Sequence, residues 1–220
     1  MIREVSAGVE PLALFGGTFD PVHYGHLRCA DEVRLKLGLK TLYLLPAGNP
    51  PHRGLPQATV KQRLDMLQLG CLEFPSLKID DRETRRHGPS YMVDTLQEMR
   101  TSHQDRPILL LVGQDAANLF HTWYQWERLF ELAHLVILTR PGSHSQYTPE
   151  VAEQIQNRSV QAVHDLLKSA AGSVFHLQVE SIDVSATKIK HYIRSELDAR
   201  SMLPAAILEY IRQNRLYLTA

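Results

Sequence analysis

Two histidines three residues apart, His23 and His26, lie inside the stretch GGTFDPVHYGH that runs from Gly16 to His26. A short apolar run at 12–15 leads into Gly16-Gly17, and helical spacing begins just beyond, at Leu27, Ala30, Val33 and Leu37. The pattern predicts a strand, a tight glycine turn and a helix. On a first helical turn a three-residue spacing places both rings on the same side. A helix N-terminus offers unpaired N–H groups and the positive end of its dipole, which favours phosphate. Two imidazoles there can donate to phosphate oxygens and stabilise the charge that builds as a phosphoryl or nucleotidyl group moves. The loop has neither the Gly-Lys-Ser/Thr ending of a P-loop nor a GxGxxG turn. A zinc reading lacks a nearby third ligand. A glycine turn carrying two surface histidines is the plain alternative.

Other groups able to bind or position a ligand fall at the ends of further apolar runs. PAGNPPHR (46–53) is a proline-stiffened loop ending in the basic pair His52-Arg53. DRETRRHGPSYMVDTL (81–96) carries Arg82, Arg85, Arg86 and His87 ahead of Ser90, Tyr91 and Met92. GQDAANLFHTWYQW (113–126) begins with Gly113 and Asp115, the latter placed to accept from a ribose or to cap the next helix. In the same stretch Trp123 and Tyr124 could flank a heterocycle, whereas Trp126 shares helical spacing with Leu129 and Phe130 and is expected in the core. Arg140 in TRPG either reaches a phosphate or stands in solvent at a strand end. SATKIK (185–190) reads as Ser185 capping a helix, with outward N–H groups and the charges of Lys188 and Lys190.

The elements that must position these residues alternate. Strands are expected at 12–15, 41–45, 77–79, 107–112, 135–139 and 174–179. Helices are expected at 25–37, 60–74, 92–100, 150–171, 187–197 and 204–214, with two short ones at 116–120 and 123–132. In 60–74 the inward stripe is Leu64, Leu67 and Cys71. Such alternation predicts an α/β, Rossmann-like fold: a mostly parallel sheet with helices on both faces and a small helical C-terminal part. Ligands of such sheets sit beyond the carboxyl ends of the strands, and that is where nearly all the residues above fall.

The 220 residues suit one α/β domain over 11–220, preceded by a flexible extension at 1–10. Lysine plus arginine equals aspartate plus glutamate, at 24 each, which argues against a general nucleic-acid surface. Cys29 and Cys71 have no CxxC spacing, so neither a disulfide framework nor a structural zinc site is expected. No signal-peptide pattern and no membrane-length apolar run are present, and a cytoplasmic protein is expected.

The string 16–26 resembles the (H/T)xGH signature of the nucleotidyltransferase superfamily, in its adenylyltransferase form GGxFDPxHxGH. PAGNPPHR, the 81–96 block, the Gly113–Trp126 pattern continued to Leu129, TRPG, SATKIK and the terminal QNRLY follow in the order seen in bacterial nicotinate-nucleotide adenylyltransferases. The chain departs from that pattern at Met92, where the family usually has Thr, and at Lys190, where it has Arg. The resemblance implies adenylyl transfer from ATP to nicotinate mononucleotide, giving nicotinate adenine dinucleotide and pyrophosphate, in NAD biosynthesis. It implies His23 and His26 as the catalytic pair on the ATP phosphates. It implies Gly16, Gly17, Thr18, Phe19, Gly113, Asp115, Arg140, Ser185, Ala186, Thr187 and Lys190 as ATP-binding. It implies His52, Arg53, Ser90, Tyr91, Met92, Trp123 and Tyr124 at the pyridine nucleotide. Mg²⁺ is expected to travel with ATP, without a dedicated carboxylate cage or protein metal site. A monomer or small homo-oligomer is expected, with no nucleic-acid or membrane partner.

Other acceptors of the superfamily remain open on the residues alone: nicotinamide mononucleotide, pantetheine phosphate or a polyol phosphate. A nucleotide sensor without turnover is the alternative from another class, and the intact histidine pair argues against it. An RNA-binding role for 82–87 is diluted by Asp80, Asp81 and Glu83.

Overall fold

The computed structural model describes residues 9–50 and 54–219. Among these, seven strands form one sheet: β1 (Leu12–Gly17), β2 (Leu42–Pro46), β3 (Leu77–Ile79), β4 (Ile108–Gly113), β5 (His134–Thr139), β6 (Ser159–Val160) and β7 (Val174–Gln178). All pair in parallel, in the order β3-β2-β1-β4-β5-β7-β6. The chain runs outward one way from β1 through β2 to β3, then returns to β4 on the other side of β1. The order therefore reverses between β1 and β4, which is where a ligand crevice opens in such sheets.

Ten α-helical segments accompany the strands: α1 (Tyr24–Lys36), α2 (Val60–Glu73), α3 (Arg82–Arg85), α4 (Met92–Ser102), α5 (Gln114–Ala117), α6 (Leu129–Leu132), α7 (Pro149–Arg158), α8 (Val163–Leu166), α9 (Ala186–Arg194) and α10 (Ala205–Gln213). Side chains alternate across the strands. Ala13, Leu109, Leu111, Val136 and Leu138 pack under Leu27, Val33, Met66, Leu67, Ile189 and Ile207 from α1, α2, α9 and α10. Leu12, Leu14, Leu110, Val112, Leu135 and Ile137 pack on the other face against α4, α6 and α7, through Val93, Leu96, Phe130 and Ile155. Both faces are thus covered, as the continuous apolar runs of the strands require. α2 starts at a capping box, Thr59 with Gln62. α7 starts at Thr148 followed by Pro149.

Three expectations are corrected. The helix expected over 150–171 ends at Arg158, because Ser159 turns extended (ψ 131°) and residues 159–160 add β6 to the sheet edge, before the one-turn α8. The helix expected over 123–132 is broken by Gln125, which takes a left-handed conformation (φ 50°). Trp126 is consequently half-buried, edge-on to Phe130, rather than in the core. The buried stripe of α2 is Arg63, Met66, Leu67 and Gly70, rotated by about one residue from the one expected, so an arginine faces inward. Of the expected N-terminal extension, residues 1–8 lie outside the described residues. Glu10 is held, its carbonyl accepting from Arg106 Nε at 2.6 Å and its carboxylate from the Lys40 N–H at 3.0 Å.

His134 is fully buried at the start of β5. Its Nε2 donates to the Ser169 carbonyl at 2.8 Å and its Nδ1 accepts from the Ser173 N–H at 3.1 Å, an arrangement only the neutral ring can make. Burial pulls its pKa down from 6.5 to about 4, and the same holds for His23. A depressed histidine leaves the unfolded chain binding more protons, so stability falls as pH drops from about 6.5 towards about 4. Each such histidine contributes at most about 1.4 kcal/mol per pH unit within that window. The melting temperature should therefore decline more gently below pH 6.5 in His134→Asn than in the native chain. Identical slopes in pH-dependent thermal melts would refute this.

Candidate functional site

At the carboxyl end of β1 the backbone turns through Gly16 and Gly17. A Cβ on Gly17 would stand 2.9 Å from the Phe19 ring, so only glycine lets that ring fold back. Phe19 is buried and left-handed (φ 52°), a conformation a bulky residue keeps only where its surroundings impose it. Its ring stands edge-on to His26, with centroids 5.1 Å apart. The His23 and His26 rings lie 3.8 Å apart, tilted by 30°. His23 is the N-cap residue of α1 with extended backbone, and His26 lies in the helix's first turn. The predicted same-side pair is therefore present at a helix N-terminus.

His23 is only 5% exposed, and its Nδ1 is buried with no hydrogen-bond partner among the described residues. Burial, and then the nearby positive charge of Arg140, bring its pKa to about 4, so the ring is neutral at ordinary pH. Arg140, at the end of β5, is exposed, in a turn closed by Ser143 Oγ accepting from the Arg140 N–H at 3.0 Å. The neutral His23 ring, the His26 ring packed against it, an arginine and a helix N-terminus together suit an anion.

Gly25 brings in a further element. A Cβ there would lie 2.9 Å from the His23 ring and 3.2 Å from the Val184 carbonyl oxygen. Its bare backbone thus lets the segment before α9 close on the start of α1. Ser185 caps α9, its hydroxyl accepting from the Lys188 N–H at 3.2 Å. Ser185 and Thr187 are exposed and Ala186 is half-buried at that N-terminus. Lys188 pairs with Asp183 at 2.6 Å. Lys190, expected to grip phosphate, instead holds Asp20 at 2.6 Å and stands 4.8 Å from the Tyr217 ring centroid.

Across the switch point, Gly113 caps α5, and a Cβ there would meet nothing within 4 Å. Asp115 is exposed in the first turn of α5 and does not serve as the cap expected of it, because the helix starts one residue before it. Gln114 turns inward instead, donating to Asn118 Oδ1 at 2.8 Å and the Tyr147 hydroxyl at 2.9 Å.

On the β2 side, Ser90 Oγ accepts from the N–H groups of Gly48 (3.0 Å) and Asn49 (3.1 Å), and the Ser90 N–H donates to the Asn49 carbonyl at 2.8 Å. Ser90 therefore staples the loop after β2. A Cβ on Gly48 would collide with the Glu83 carbonyl oxygen. Tyr91 stacks on the half-exposed Tyr124 at 4.6 Å. Met92 reaches Gly16, its Cε 3.2 Å from where a Cβ would stand. Trp123 packs edge-on against buried Phe120, which draws it towards the core. His52 and Arg53 lie outside the described residues.

Residue type and spacing give no role to Asp20, Arg63 or Tyr217. Asp20 is 8% exposed and accepts from four donors: Gln57 N–H (3.0 Å), Ala58 N–H (3.1 Å), Lys190 Nζ (2.6 Å) and the Tyr217 hydroxyl (2.7 Å). Burial pushes its carboxyl up, but these donors outweigh it and hold the pKa below the ordinary value. Arg63, 1% exposed, donates to the carbonyls of Thr18 (2.7 Å) and Gly48 (3.2 Å). An arginine on a buried helical stripe was the one available signal. Among the described residues no group of three or more His, Cys, Asp or Glu is arranged to hold a metal ion, and no helix is long and apolar enough to cross a membrane.

Comparison with known proteins adds an independent view. A family model described as cytidylyltransferase-like matches residues 14–192. A protein of Aeromonas hydrophila named "Probable nicotinate-nucleotide adenylyltransferase" is 40% identical over 210 residues, covering 96% of this chain and 98% of its own. A Methylococcus capsulatus protein of the same name is 41% identical, covering 94% and 99%. The structure of Plasmodium falciparum nicotinic acid mononucleotide adenylyltransferase complexed with NaAD shares the fold, with a TM-score of 0.72 at 14% identity, over 94% of this chain and 97% of that one.

The packing of Gly25 on His23 has a direct consequence. Gly25→Ala should displace the ring or the 184–185 segment, lowering kcat about tenfold or more. Overpacking of this kind costs roughly 1–3 kcal/mol in stability. Steady-state rates and thermal melts check both, and an unchanged kcat would show that the His23 position is immaterial.

Proposed function

This chain belongs to the nicotinate-nucleotide adenylyltransferases, within the cytidylyltransferase-like family, and on that premise we propose how its residues divide the work. The reaction is adenylyl transfer from ATP to nicotinate mononucleotide, giving nicotinate adenine dinucleotide and pyrophosphate. The observation that carries the site assignment is the close-packed His23–His26 pair at the start of α1, the helix that follows β1, with the positive charge of Arg140 acting on His23.

A phosphate oxygen of the mononucleotide attacks the α-phosphorus of ATP. The new O–P bond forms as the bond to the bridging α,β oxygen breaks, and that electron pair leaves with pyrophosphate. The nucleophile arrives already anionic, so no covalent enzyme intermediate is needed. Catalysis then consists of alignment and charge stabilisation. His26 and His23 donate to the ATP phosphate oxygens, with His26 stabilising the transition state. Backbone groups of Gly16 to Phe19 line the nucleotide. Gly113 leaves room in the crevice, and Asp115 is exposed on its rim to meet the ribose. The N-terminus of α9, from Ser185 to Thr187, and Arg140 receive the remaining phosphates. Mg²⁺ would accompany the ATP phosphates as their counter-ion and neutralise part of their charge. The carboxylate lying deepest in this loop, Asp20, is already taken by four donors, which fits an ion carried by the substrate rather than one resident in the protein. The acceptor lies towards the loop after β2, with the Tyr91–Tyr124 stack offering an aromatic surface to the pyridine.

Pyrophosphate release with ATP and Mg²⁺ tests the reaction, nicotinate mononucleotide being compared with its amide. Rapid release with the acid and slow release with the amide is the expected result; silence with both would overturn the assignment. In the same assay His26→Ala should lower kcat by about 10²–10³-fold, as loss of other charge-stabilising donors does. Near-native turnover in that variant would remove His26 from its role.

A further inference from the structure

The loop that follows β2 is fastened to the turn that follows β1 at both of its ends. At its start the Ala47 N–H donates to the Gly17 carbonyl at 2.9 Å. At its far end the N–H groups of Gln57 and Ala58 donate to Asp20 at 3.0 and 3.1 Å. Between them one side chain spans both loops. Arg63, on the inward face of α2, sends Nη1 to the Thr18 carbonyl at 2.7 Å and Nη2 to the Gly48 carbonyl at 3.2 Å, while its Nε is buried without a hydrogen-bond partner among the described residues.

That position is an unusual one for a charge. The neighbouring buried positions of α2 are Met66, Leu67 and Gly70, and the negative charge that favours the guanidinium there is that of buried Asp20. Burying a guanidinium is costly unless its hydrogen bonds are made. Here the two hydrogen bonds it makes go to main-chain carbonyls, one in each of two loops assigned to different substrates. A planar fork can hold two carbonyls at a fixed separation, and a lysine's single ammonium cannot do so with the same geometry.

Resting on the adenylyl-transfer reading above, we propose that Arg63 is a positioning residue that sets the distance between the nucleotide turn at Thr18 and the acceptor loop at Gly48. It touches neither substrate. Its contribution is to bring the acceptor phosphate into line with the α-phosphorus once both substrates are bound. Each loop can still bind its own substrate without it, so its loss should fall on kcat and not on KM.

The test is steady-state kinetics of Arg63→Met and Arg63→Lys beside the native enzyme, with Lys61→Gln, an exposed neighbour on the same helix, as control. Folding is followed in parallel by thermal melts. Arg63→Met should lose about 10²-fold in kcat while KM for ATP and for nicotinate mononucleotide each stay within about threefold. Arg63→Lys should recover part of the rate, and added guanidinium ion at millimolar levels should restore part of it to Arg63→Met. A folded Arg63→Met with kcat within about twofold of native, or a change confined to KM, would overturn the role. So would a loss that follows only the folded fraction across temperature. If Arg63→Met does not fold, Arg63→Lys decides by the same criteria: a kcat loss of about tenfold at unchanged KM supports the role, and native kcat overturns it. A native enzyme silent with nicotinate mononucleotide would bring down the reaction and this role together. An active native enzyme with unaffected variants would bring down the role of Arg63 alone.

Discussion

The buried carboxylate of Asp20 is the interaction on which the rest of this architecture depends. It lies four residues beyond Gly16 and three before His23, so whatever fixes Asp20 fixes the turn on both sides of it. Its four donors come from three distant parts of the chain: the entry to α2, the second turn of α9 and the C-terminal segment at Tyr217. A carboxylate this buried is unfavourable without partners, and removing one partner from a buried charge pair typically costs about 3–5 kcal/mol. The segments that supply those partners are accordingly bound to stay in place. The position of the histidine pair thus depends on residues far from it along the chain.

The glycines act in the opposite sense, by absence. Gly17 gives room to the Phe19 ring, Gly25 lets the His23 ring and the segment before α9 both close on the start of α1, and Gly48 lets α3 reach the loop after β2. Each is a place where two backbones, or a backbone and a ring, approach more closely than a side chain permits. The site is therefore assembled by close backbone approach at three points and tied by polar side chains from behind, chiefly Asp20, Arg63 and Ser90.

Much of this fold was legible because parallel strands buried on both faces read as unbroken apolar runs, such as 108–112 and 135–138. The features without a sequence pattern are short or local in cause. Two residues of β6 carry no pattern, and the left-handed Gln125 has no composition signal that breaks the helical spacing around it. The site divides the same way. His23, His26 and the glycine turn are contiguous in sequence, so type and spacing revealed them. Asp20 was in view inside that string but its partners were not, since Lys190 and Tyr217 stand 170 and 197 residues away. Ser90 was expected to face a ligand and was found holding a loop, a distinction that residue type alone does not make.

Lys190 shows why such distinctions matter. Judged by residue type alone, the lysine that ends SATKIK suggests a hold on phosphate. The geometry assigns its charge elsewhere. Its ammonium meets one carboxylate oxygen and an aromatic face, partners that suit a compact point charge and gain nothing from a planar fork. At Arg63 the demand is reversed, with two carbonyls on separate loops and a fork that reaches both. The two cations behind the histidine turn are thus matched to their partners by shape as well as by charge. Exchanging either for the other would preserve the net charge and lose the geometry that holds the turn.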